Sequence, residues 1–231
     1  MTICANTVTH GIDVSAYQVK TDWSKVVASG RTFAFVKYSE GTYYASSSFA
    51  ADWAAAHAVG VLRGAYHFFR PEIDGAAQAK FFLEHIAKFG AGELPPVIDV
   101  ETGTDMHKIG LGVSAWIDDV AAATGRRPLV YVSSGFWRVP TSYGVEAKSD
   151  LWVAQYPNVQ PSEGGPWCAP ATGAWEKWTF WQHWDKGQVQ GVNGGVDVDV
   201  FNGSLEELRE YAGGEDSGVV RTPNASVAVP G

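Results

Sequence analysis

The chain has 231 residues, of which 45% are hydrophobic and 18% charged, and its formal net charge is −8. This length can bury one sizeable core, and α/β barrels of this size are routinely single domains. The negative charge argues against a nucleic-acid partner and against unaided attraction to an anionic surface, because phosphate binding requires a basic surface.

The amino terminus carries no recognisable targeting signal. Residues 1–15 contain neither a basic region nor an apolar stretch, so they do not form a secretory signal. No apolar run approaches the ~18 residues of a membrane span. We therefore expect synthesis in the cytoplasm without a signal peptide, and no membrane partner.

The first part of the chain predicts alternating strands and helices. Runs rich in Val, Ile, Phe and Tyr predict strands, and the segments between them have helical character. The predicted strands are residues 10–15, 33–40, 62–69, 94–101 and 128–134, and the predicted helices are 22–30, 48–60, 75–90 and 107–125. Gly30, Gly60 and Gly125 stand where these helices should end.

The alternation of predicted strands and helices ends after residue 134. Three further strands are predicted at 151–156, 180–184 and 195–201, joined by turns and long loops. A last helix is predicted at 204–213, where Ser204 and Glu207 have the spacing of a capping box.

Eight predicted strands are enough to close a small barrel. The predicted fold class is α/β, a TIM-like barrel of five βα units followed by three closing strands. Residues 1–213 are expected to form this domain. Residues 214–231 lack apolar periodicity and carry Gly, Pro and Ser, which is typical of a flexible tail or linker.

The stretch PPVIDVET places two carboxylates on one face of a predicted strand. Because side chains alternate along a strand, Asp99 and Glu101 point the same way. Asp13 lies on the first predicted strand, and Asp197 and Asp199 lie on the eighth, which is its neighbour in a closed barrel. We predict that these carboxylates converge at the mouth of the barrel, where such barrels have their active sites.

Converging carboxylates without a His or Cys cluster indicate glycoside hydrolysis. The reaction needs one carboxylic acid to protonate the leaving oxygen and a second group to manage an oxocarbenium-like charge. Crowding by like charges raises one pKa and keeps one carboxyl protonated. Glu101 is the predicted acid because it reaches further and stands nearer the mouth. Asp99, deeper in, is expected to hold charge and to orient Glu101 or the substrate.

Other kinds of site have less support. The six His residues show no ligand spacing, so neither a metal nor a cofactor is expected. Ser133, Ser134 and Gly135 lack the flanking residues of a nucleophile elbow. His67 is interpreted as a core residue. Trp53, Trp116 and Trp152 are likewise interpreted as packing residues.

A second set of side chains is predicted to bind substrate around the carboxylates. Aromatic rings on the strands can stack against the flat faces of sugars. The predicted substrate-binding residues are Lys37, Tyr66, Tyr131, Trp181, Gln182 and Asp199.

With these residues the chain resembles the family 25 glycoside hydrolases, the Chalaropsis-type lysozymes common in bacteriophage lysins and bacterial autolysins. The resemblance spans about residues 9–212 and rests on eight segments in order: GIDVSAYQ, FVKYSEGTYY, GAYHFFRP, PPVIDVE, PLVYVSSGFW, LWVAQY, FWQHW and GVDVDVFNG. Asp13 matches the family's first-strand Asp, Asp99 and Glu101 its D-x-E pair, and Asp197 its last-strand Asp. Tyr66 matches a Tyr near the reacting sugar, and Asp199 stands where members often carry Asn.

The resemblance implies a monomeric muramidase that acts on the bacterial cell wall. Its substrate would be peptidoglycan, cut at the β-1,4 bond between N-acetylmuramic acid and N-acetylglucosamine. Its source would be a phage endolysin, made in the host cytoplasm, or a bacterial autolysin. The tail would then lead to a C-terminal cell-wall-binding module.

Two other functions and two mechanisms remain open at this stage. A catalytically silent glycan-binding barrel would be expected to lose a carboxylate, and a chitinase-like N-acetylglucosaminidase would carry the longer D-x-x-D-x-D-x-E motif. The sugar's charge is stabilised either by its own 2-acetamido group, with Asp99 orienting the nitrogen, or by direct attack of water with inversion.

Cys4 and Cys168 are predicted to be free thiols. Cys4 precedes the first strand and is placed at the bottom of the barrel, whereas Cys168 follows residues 151–156 and is placed at the top. A strand of this length spans about 17–20 Å, and a disulfide needs Cα atoms within roughly 7 Å.

Overall fold

The computed structural model describes residues 7–18, 20–88, 90, 92–157, 165, 167–168 and 170–213, and the backbone of residues 4–5. The strands are β1 Cys4–Ala5, β2 Thr9–Val14, β3 Phe33–Glu40, β4 Tyr44–Ala45, β5 Leu62–Phe68, β6 Val97–Asp99, β7 Leu129–Ser133, β8 Asp150–Ala154, β9 Trp167–Cys168, β10 Phe180–Gly187 and β11 Val196–Phe201. The helices are α1 Trp23–Ala28, α2 Phe49–Ala58, α3 Gly75–Ile86, α4 Met106–Thr124, α5 Val145–Lys148 and α6 Leu205–Tyr211, with a 3-10 turn at Thr141–Tyr143. The predicted tail, 214–231, lies outside the described residues.

Eight of these strands close into a barrel. Their order is β2, β11, β10, β8, β7, β6, β5 and β3, and β3 pairs with β2 to complete the ring. Neighbouring strands run parallel except at β11, which is antiparallel to both β10 and β2. The prediction of an α/β barrel with eight strands is therefore confirmed.

The helices begin and end where the sequence supplies caps. Asp22, Asp74 and Asp105 accept hydrogen bonds from backbone N–H groups in the first turns of α1, α3 and α4. The predicted capping box of Ser204 and Glu207 opens α6. None of the helices in the described ranges is long and apolar enough to cross a membrane.

The barrel interior is filled at the end where its parallel strands begin. Phe33 and Phe180 are the first residues of β3 and β10, and both are completely buried there with Phe35 and Trp152. Gly11 makes room for this cluster, because a Cβ at that position would lie 2.4 Å from the Phe33 ring. A second apolar layer packs between the barrel and the helices. Space for a site therefore remains at the opposite end, the mouth.

His67 is a core residue, as predicted. It is fully buried, with Nδ1 2.8 Å from Ser39 Oγ and Nε2 3.1 Å from Gln78 Oε1. Burial lowers the pKa of His67 to about 4, so its ring is neutral at physiological pH.

The two cysteines form a disulfide, so the prediction of free thiols is wrong. Cys168 is disulfide-bonded, and the chain's other cysteine, Cys4, lies opposite it where β1 pairs with β9. The adjacent Trp167 packs on the outer wall of the barrel, with ring centroids 5.6 Å from His10 and 4.9 Å from His183. The strands of Cys4 and Cys168 therefore do not lie at opposite ends of the barrel, as we had predicted, but pair along its outer wall.

Candidate active site

Four carboxyl side chains converge at the mouth of the barrel. Asp13 pairs directly with Asp197 between β2 and β11. Asp99 ends β6, and Glu101 follows two residues later on the same face. Because β11 runs antiparallel, its beginning reaches the mouth and brings Asp197 to the other three. All four line one pocket of about 180 Å³.

Aromatic and amide side chains complete the pocket. The remaining lining residues are Tyr66, Tyr131, Trp152, Tyr156 and Gln182. Three of these were predicted, but Trp152 had been interpreted as core and Tyr156 was missed. Trp152 belongs both to the core and to the pocket, because its ring stacks on Phe35 at a centroid distance of 4.3 Å and the residue also lines the pocket. Alternation along the predicted strand 151–156 could have found Tyr156, because it stands four positions after Trp152.

Three predicted substrate-binding residues lie outside the lining. Trp181 points to the outer wall, where its Nε1 donates to the Gln155 carbonyl at 2.8 Å. Its neighbour Gln182 lines the pocket, and two consecutive residues of a strand cannot both point inward. Lys37 Nζ lies 3.0 Å from Glu40 Oε2, and its charge lowers the pKa of Asp99 without placing Lys37 in the lining. Asp199 is completely buried beneath the lining.

Gln182 fixes the orientation of Asp13. The phenol of Tyr131 donates to Gln182 Oε1 at 2.8 Å, and the phenol of Tyr156 donates to the same oxygen. With its oxygen occupied in this way, the Gln182 amide directs its Nε2 at Asp13 Oδ2, 2.7 Å away. Two tyrosines and one amide thus form a short chain of donors that ends on the Asp13 carboxyl.

Burial and mutual repulsion raise the pKa values of the carboxyls on β2 and β11. Burial raises the pKa of Asp13 well above its ordinary value, and the charges of Asp197 and Asp199 raise it further. Burial and the charges of Asp185 and Glu101 raise the pKa of Asp197 to about 7. The pocket therefore retains protons near neutral pH, as general acid catalysis requires.

Asp99, the deeper member of the Asp99–Glu101 pair, has a raised pKa. Asp99 is only 5% exposed, and its Oδ1 has no hydrogen-bond partner among the described residues. Burial raises the pKa of Asp99 well above its ordinary value, and the charge and hydrogen bond of Glu101 raise it further. Glu101 itself is exposed at the mouth. The raised pKa favours a protonated Asp99, and its hydrogen bond to Glu101 places a proton donor behind the exposed carboxyl.

Comparison with known proteins identifies the family. The model of the glycosyl hydrolases family 25 matches residues 12–192. The chain belongs to this family. It is 36% identical over 215 residues to Lysozyme M1 of Streptomyces globisporus, which covers 87% of this chain and 70% of that protein. It is 33% identical over 220 residues to the N,O-diacetylmuramidase of Chalaropsis sp, which covers 88% of this chain and 99% of that protein.

A solved structure agrees with the sequence relatives. The bacterial lysozyme from Streptomyces coelicolor superposes with a TM-score of 0.76 at 31% identity and covers 90% of this chain and 98% of that chain. The resemblance drawn from the eight segments is therefore confirmed, and the protein is a family 25 glycoside hydrolase. The described residues of this hydrolase contain no group of three or more His, Cys, Asp or Glu side chains arranged to hold a metal ion.

Replacing Asp99 by Asn in the family 25 hydrolase is expected to stabilise the fold at neutral pH. The folded pKa of Asp99 lies above the unfolded value of about 3.9, so burying its charge destabilises the protein increasingly as pH rises between those two values. Asn has no charge to bury. We expect thermal unfolding at pH 7 to occur roughly 2–6 °C higher in the variant, and the difference to vanish near pH 3–4.

Asp105→Asn is the matched control for this measurement. Hydrogen bonds from the backbone of Lys108 and His107 lower the pKa of Asp105, so its stabilising effect is present above the unfolded pKa and is lost as pH falls. The control should therefore show no gain in Tm at pH 7. A fall in Tm for Asp99→Asn at pH 7 would contradict the assignment of a raised pKa.

Proposed function

We propose that this chain is a peptidoglycan N-acetylmuramidase, which cleaves the β-1,4 bond between N-acetylmuramic acid and N-acetylglucosamine. The observation that carries the proposal is the Asp99–Glu101 pair in a pocket lined by four carboxyls. Relatives named as a lysozyme and an N,O-diacetylmuramidase support this substrate. The bacterial cell wall is then both the site of action and the partner.

Glu101 acts as the general acid. It is the exposed member of the pair and can approach a glycosidic oxygen at the mouth, whereas Asp99 is buried behind it. The proton of Asp99 passes along their hydrogen bond to Glu101 as Glu101 protonates the leaving oxygen, and this transfer leaves Asp99 as an anion. Asp99 therefore supports the acid and remains available to orient the 2-acetamido nitrogen.

The other pocket carboxyls stabilise the positive charge that develops on the sugar. Asp13 and Asp197 face Asp99 and Glu101 across the pocket, and no Lys or Arg is among the lining residues. Fixed negative groups in a partly dry pocket stabilise an oxocarbenium-like transition state. The same charge opposes phosphate-bearing substrates.

The aromatic walls supply a surface for a neutral sugar. Tyr66, Tyr131, Trp152 and Tyr156 present ring faces and edges around the carboxyls. Burial and the neighbouring carboxylates raise the pKa of Tyr66 and of Tyr131 well above the ordinary value, so both phenols remain protonated and can donate hydrogen bonds. A pocket of about 180 Å³ has room for roughly one sugar ring, so neighbouring sugars must lie along the mouth.

Digestion of purified peptidoglycan tests the function directly. Soluble fragments should carry N-acetylmuramic acid at the reducing end, detected by mass analysis after borohydride reduction. Fragments that end in N-acetylglucosamine would show an N-acetylglucosaminidase instead, and no release would show a silent glycan-binding barrel. Recording the anomer first formed, by NMR, distinguishes assistance by the 2-acetamido group, which retains configuration, from direct attack of water, which inverts it.

A further inference from the structure

Two cations stand next to a pocket whose described lining includes neither Lys nor Arg. Both bind Glu40: Lys37 Nζ lies 3.0 Å from Oε2, and Arg70 Nε and Nη2 lie 3.0 and 2.5 Å from Oε1. Both also lie over the ring of Phe68, with 4.5 Å from Lys37 Nζ and 4.7 Å from Arg70 Cζ to the ring centroid. We call Lys37, Glu40, Phe68 and Arg70 the basic cluster.

The strand register places the basic cluster at the edge of the pocket. Lys37 lies opposite Tyr66 and Phe68 lies opposite Asp99, and both of these partners line the pocket. Paired residues of neighbouring strands point to the same face of a sheet, so Lys37 and Phe68 point to the inside of the barrel. Burial and the charge of Glu101 raise the pKa of Asp99, whereas the charge of Lys37 lowers it. The ammonium of Lys37 therefore acts on the pocket.

An irregularity in β3 brings Glu40 to the same face as Lys37. The pairing of β3 with β5 slips by one residue between Lys37 and Ser39, as in a β-bulge. Positions 37 and 40 face opposite ways in a regular strand, but Glu40 lies opposite Phe68 and so points inward as well. Bulges next to active sites commonly redirect side chains in this way. The strand thus departs from regular geometry where the basic cluster forms.

Glu40 cannot neutralise both cations. Despite the opposing effect of burial, hydrogen bonds from Arg70 and Lys37 lower the pKa of Glu40, so this carboxylate is ionised at neutral pH. Two positive charges then face one negative charge. The bonds to Glu40 use one of the three ammonium donors and two of the five guanidinium donors. Because the side chain of Lys37 is 18% exposed and that of Arg70 30% exposed, a further anionic group can reach them from the mouth.

The proposed substrate offers a carboxylate as this anion. N-acetylmuramic acid differs from N-acetylglucosamine by a 3-O-lactyl group, which ends in a carboxylate or is joined to a stem peptide that has carboxylates of its own. Ammonium and guanidinium groups bind carboxylates through charge-assisted hydrogen bonds. The four carboxyls of the pocket repel such a group, so its binding requires cations next to them.

We propose that Lys37 and Arg70 form a binding site for a carboxylate on the lactyl arm of N-acetylmuramic acid. This carboxylate belongs either to the lactyl group itself or to the stem peptide attached to it. Glu40 and Phe68 hold the two cations in place. The site distinguishes N-acetylmuramic acid from N-acetylglucosamine, and it gives a ligand to Lys37, which the sequence predicts to bind substrate. This inference rests on the proposed muramidase function.

Methyl esterification of the carboxyl groups of sonicated peptidoglycan tests the site with the wild-type protein. The chain has a net charge of −8 and an acidic pocket, so overall electrostatics favours the neutral ester. We expect the opposite, with KM about 10-fold higher on the ester and kcat little changed, because the basic cluster binds a group outside the bond that is cleaved. An equal or lower KM on the ester would overturn the inference.

Arg70→Gln assigns the effect to the basic cluster. Its KM for unmodified peptidoglycan should rise by about 10-fold, and the difference from wild type should shrink to about 2-fold or less on the methyl ester. Arg70→Lys keeps the charge and should recover part of the affinity. Arg209→Gln is the matched control, because Arg209 is exposed on α6 and does not line the pocket. An equal loss on both substrates would mean that Arg70 acts only through the fold. The wild-type comparison stands even if Arg70→Gln fails to fold.

Removal of the stem peptides with an amidase identifies the source of the carboxylate. A loss for Arg70→Gln on the peptide-free glycan assigns the site to the lactyl carboxylate, and a loss on peptide-bearing glycan alone assigns it to the stem peptide. No loss on either substrate contradicts the inference. If the wild type releases no glycan fragments, the proposed function fails, and co-sedimentation with unmodified and esterified peptidoglycan still tests the site. Stronger retention of wild type than of Arg70→Gln on the unmodified material alone supports it, and equal retention refutes it.

Discussion

Glu101→Gln should retain the fold and lose activity on peptidoglycan by about 10²–10⁴-fold, the usual contribution of a general acid. The amide has the same shape as the carboxyl but has no acidic proton for the glycosidic oxygen. Glu101 is exposed at the mouth, so the substitution should leave the packed interior unchanged. The measurement is release of soluble fragments from purified peptidoglycan under single-turnover conditions, with Tm recorded in parallel.

Glu84→Gln is the matched control for this experiment. Glu84 lies on α3, away from the pocket, and its side chain is 59% exposed. The Glu84→Gln variant loses the same charge as Glu101→Gln and should digest peptidoglycan at the wild-type rate. Co-sedimentation with insoluble peptidoglycan should show that Glu101→Gln still binds. A folded Glu101→Gln protein with near wild-type turnover would mean that another group protonates the leaving oxygen.

The barrel and its four carboxylates were predictable because both follow from strand periodicity. Alternation places Asp99 and Glu101 on one face, and closure of the barrel makes the first and last strands neighbours, which brings Asp13 to Asp197. The long strands and helices were found for the same reason. The two-residue strands β1, β4 and β9 and the four-residue α5 were not, because such short segments carry no measurable period.

The lining of the pocket was only partly predictable. Sequence alone cannot say which face of a strand points inward, so Trp181 and Gln182 were both nominated although one strand presents only one of them. Packing settles the choice: Phe180 fills the barrel interior, and Gln182, two positions later, therefore points inward as well. Trp152 was assigned to the core because a buried Trp in a hydrophobic run has the same pattern whether or not its edge meets a pocket.

The protonation pattern depends on burial, which the sequence does not contain. Like-charge crowding was predicted from spacing, and it favoured Glu101 as the carboxyl that keeps a proton. The structure buries Asp99 and exposes Glu101, and burial raises the pKa of Asp99. The residue proposed as the general acid and the carboxyl with the raised pKa are consequently different residues.

Cys168→Ser is expected to lower the free energy of unfolding by about 2–5 kcal/mol, because the disulfide to Cys4 closes a loop that contains most of the barrel. For a domain of this size the loss corresponds to a Tm lower by roughly 5–15 °C. The adjacent Trp167 packs on the outer wall against His10 and His183, none of which lines the pocket. Activity on peptidoglycan well below the new Tm should therefore stay within about 2-fold of wild type.

Reductant supplies the control, since it acts only where a disulfide exists. It should lower the Tm of the wild type to that of Cys168→Ser and leave the variant unchanged. Thiol titration of the denatured wild type should find none before reduction and two after it. Two thiols in the unreduced protein would show that the cysteines are free and that β1 does not tie the amino terminus to the barrel wall. The amino-terminal segment would then add little to stability, because β1 pairs with β9 over only two residues on each strand.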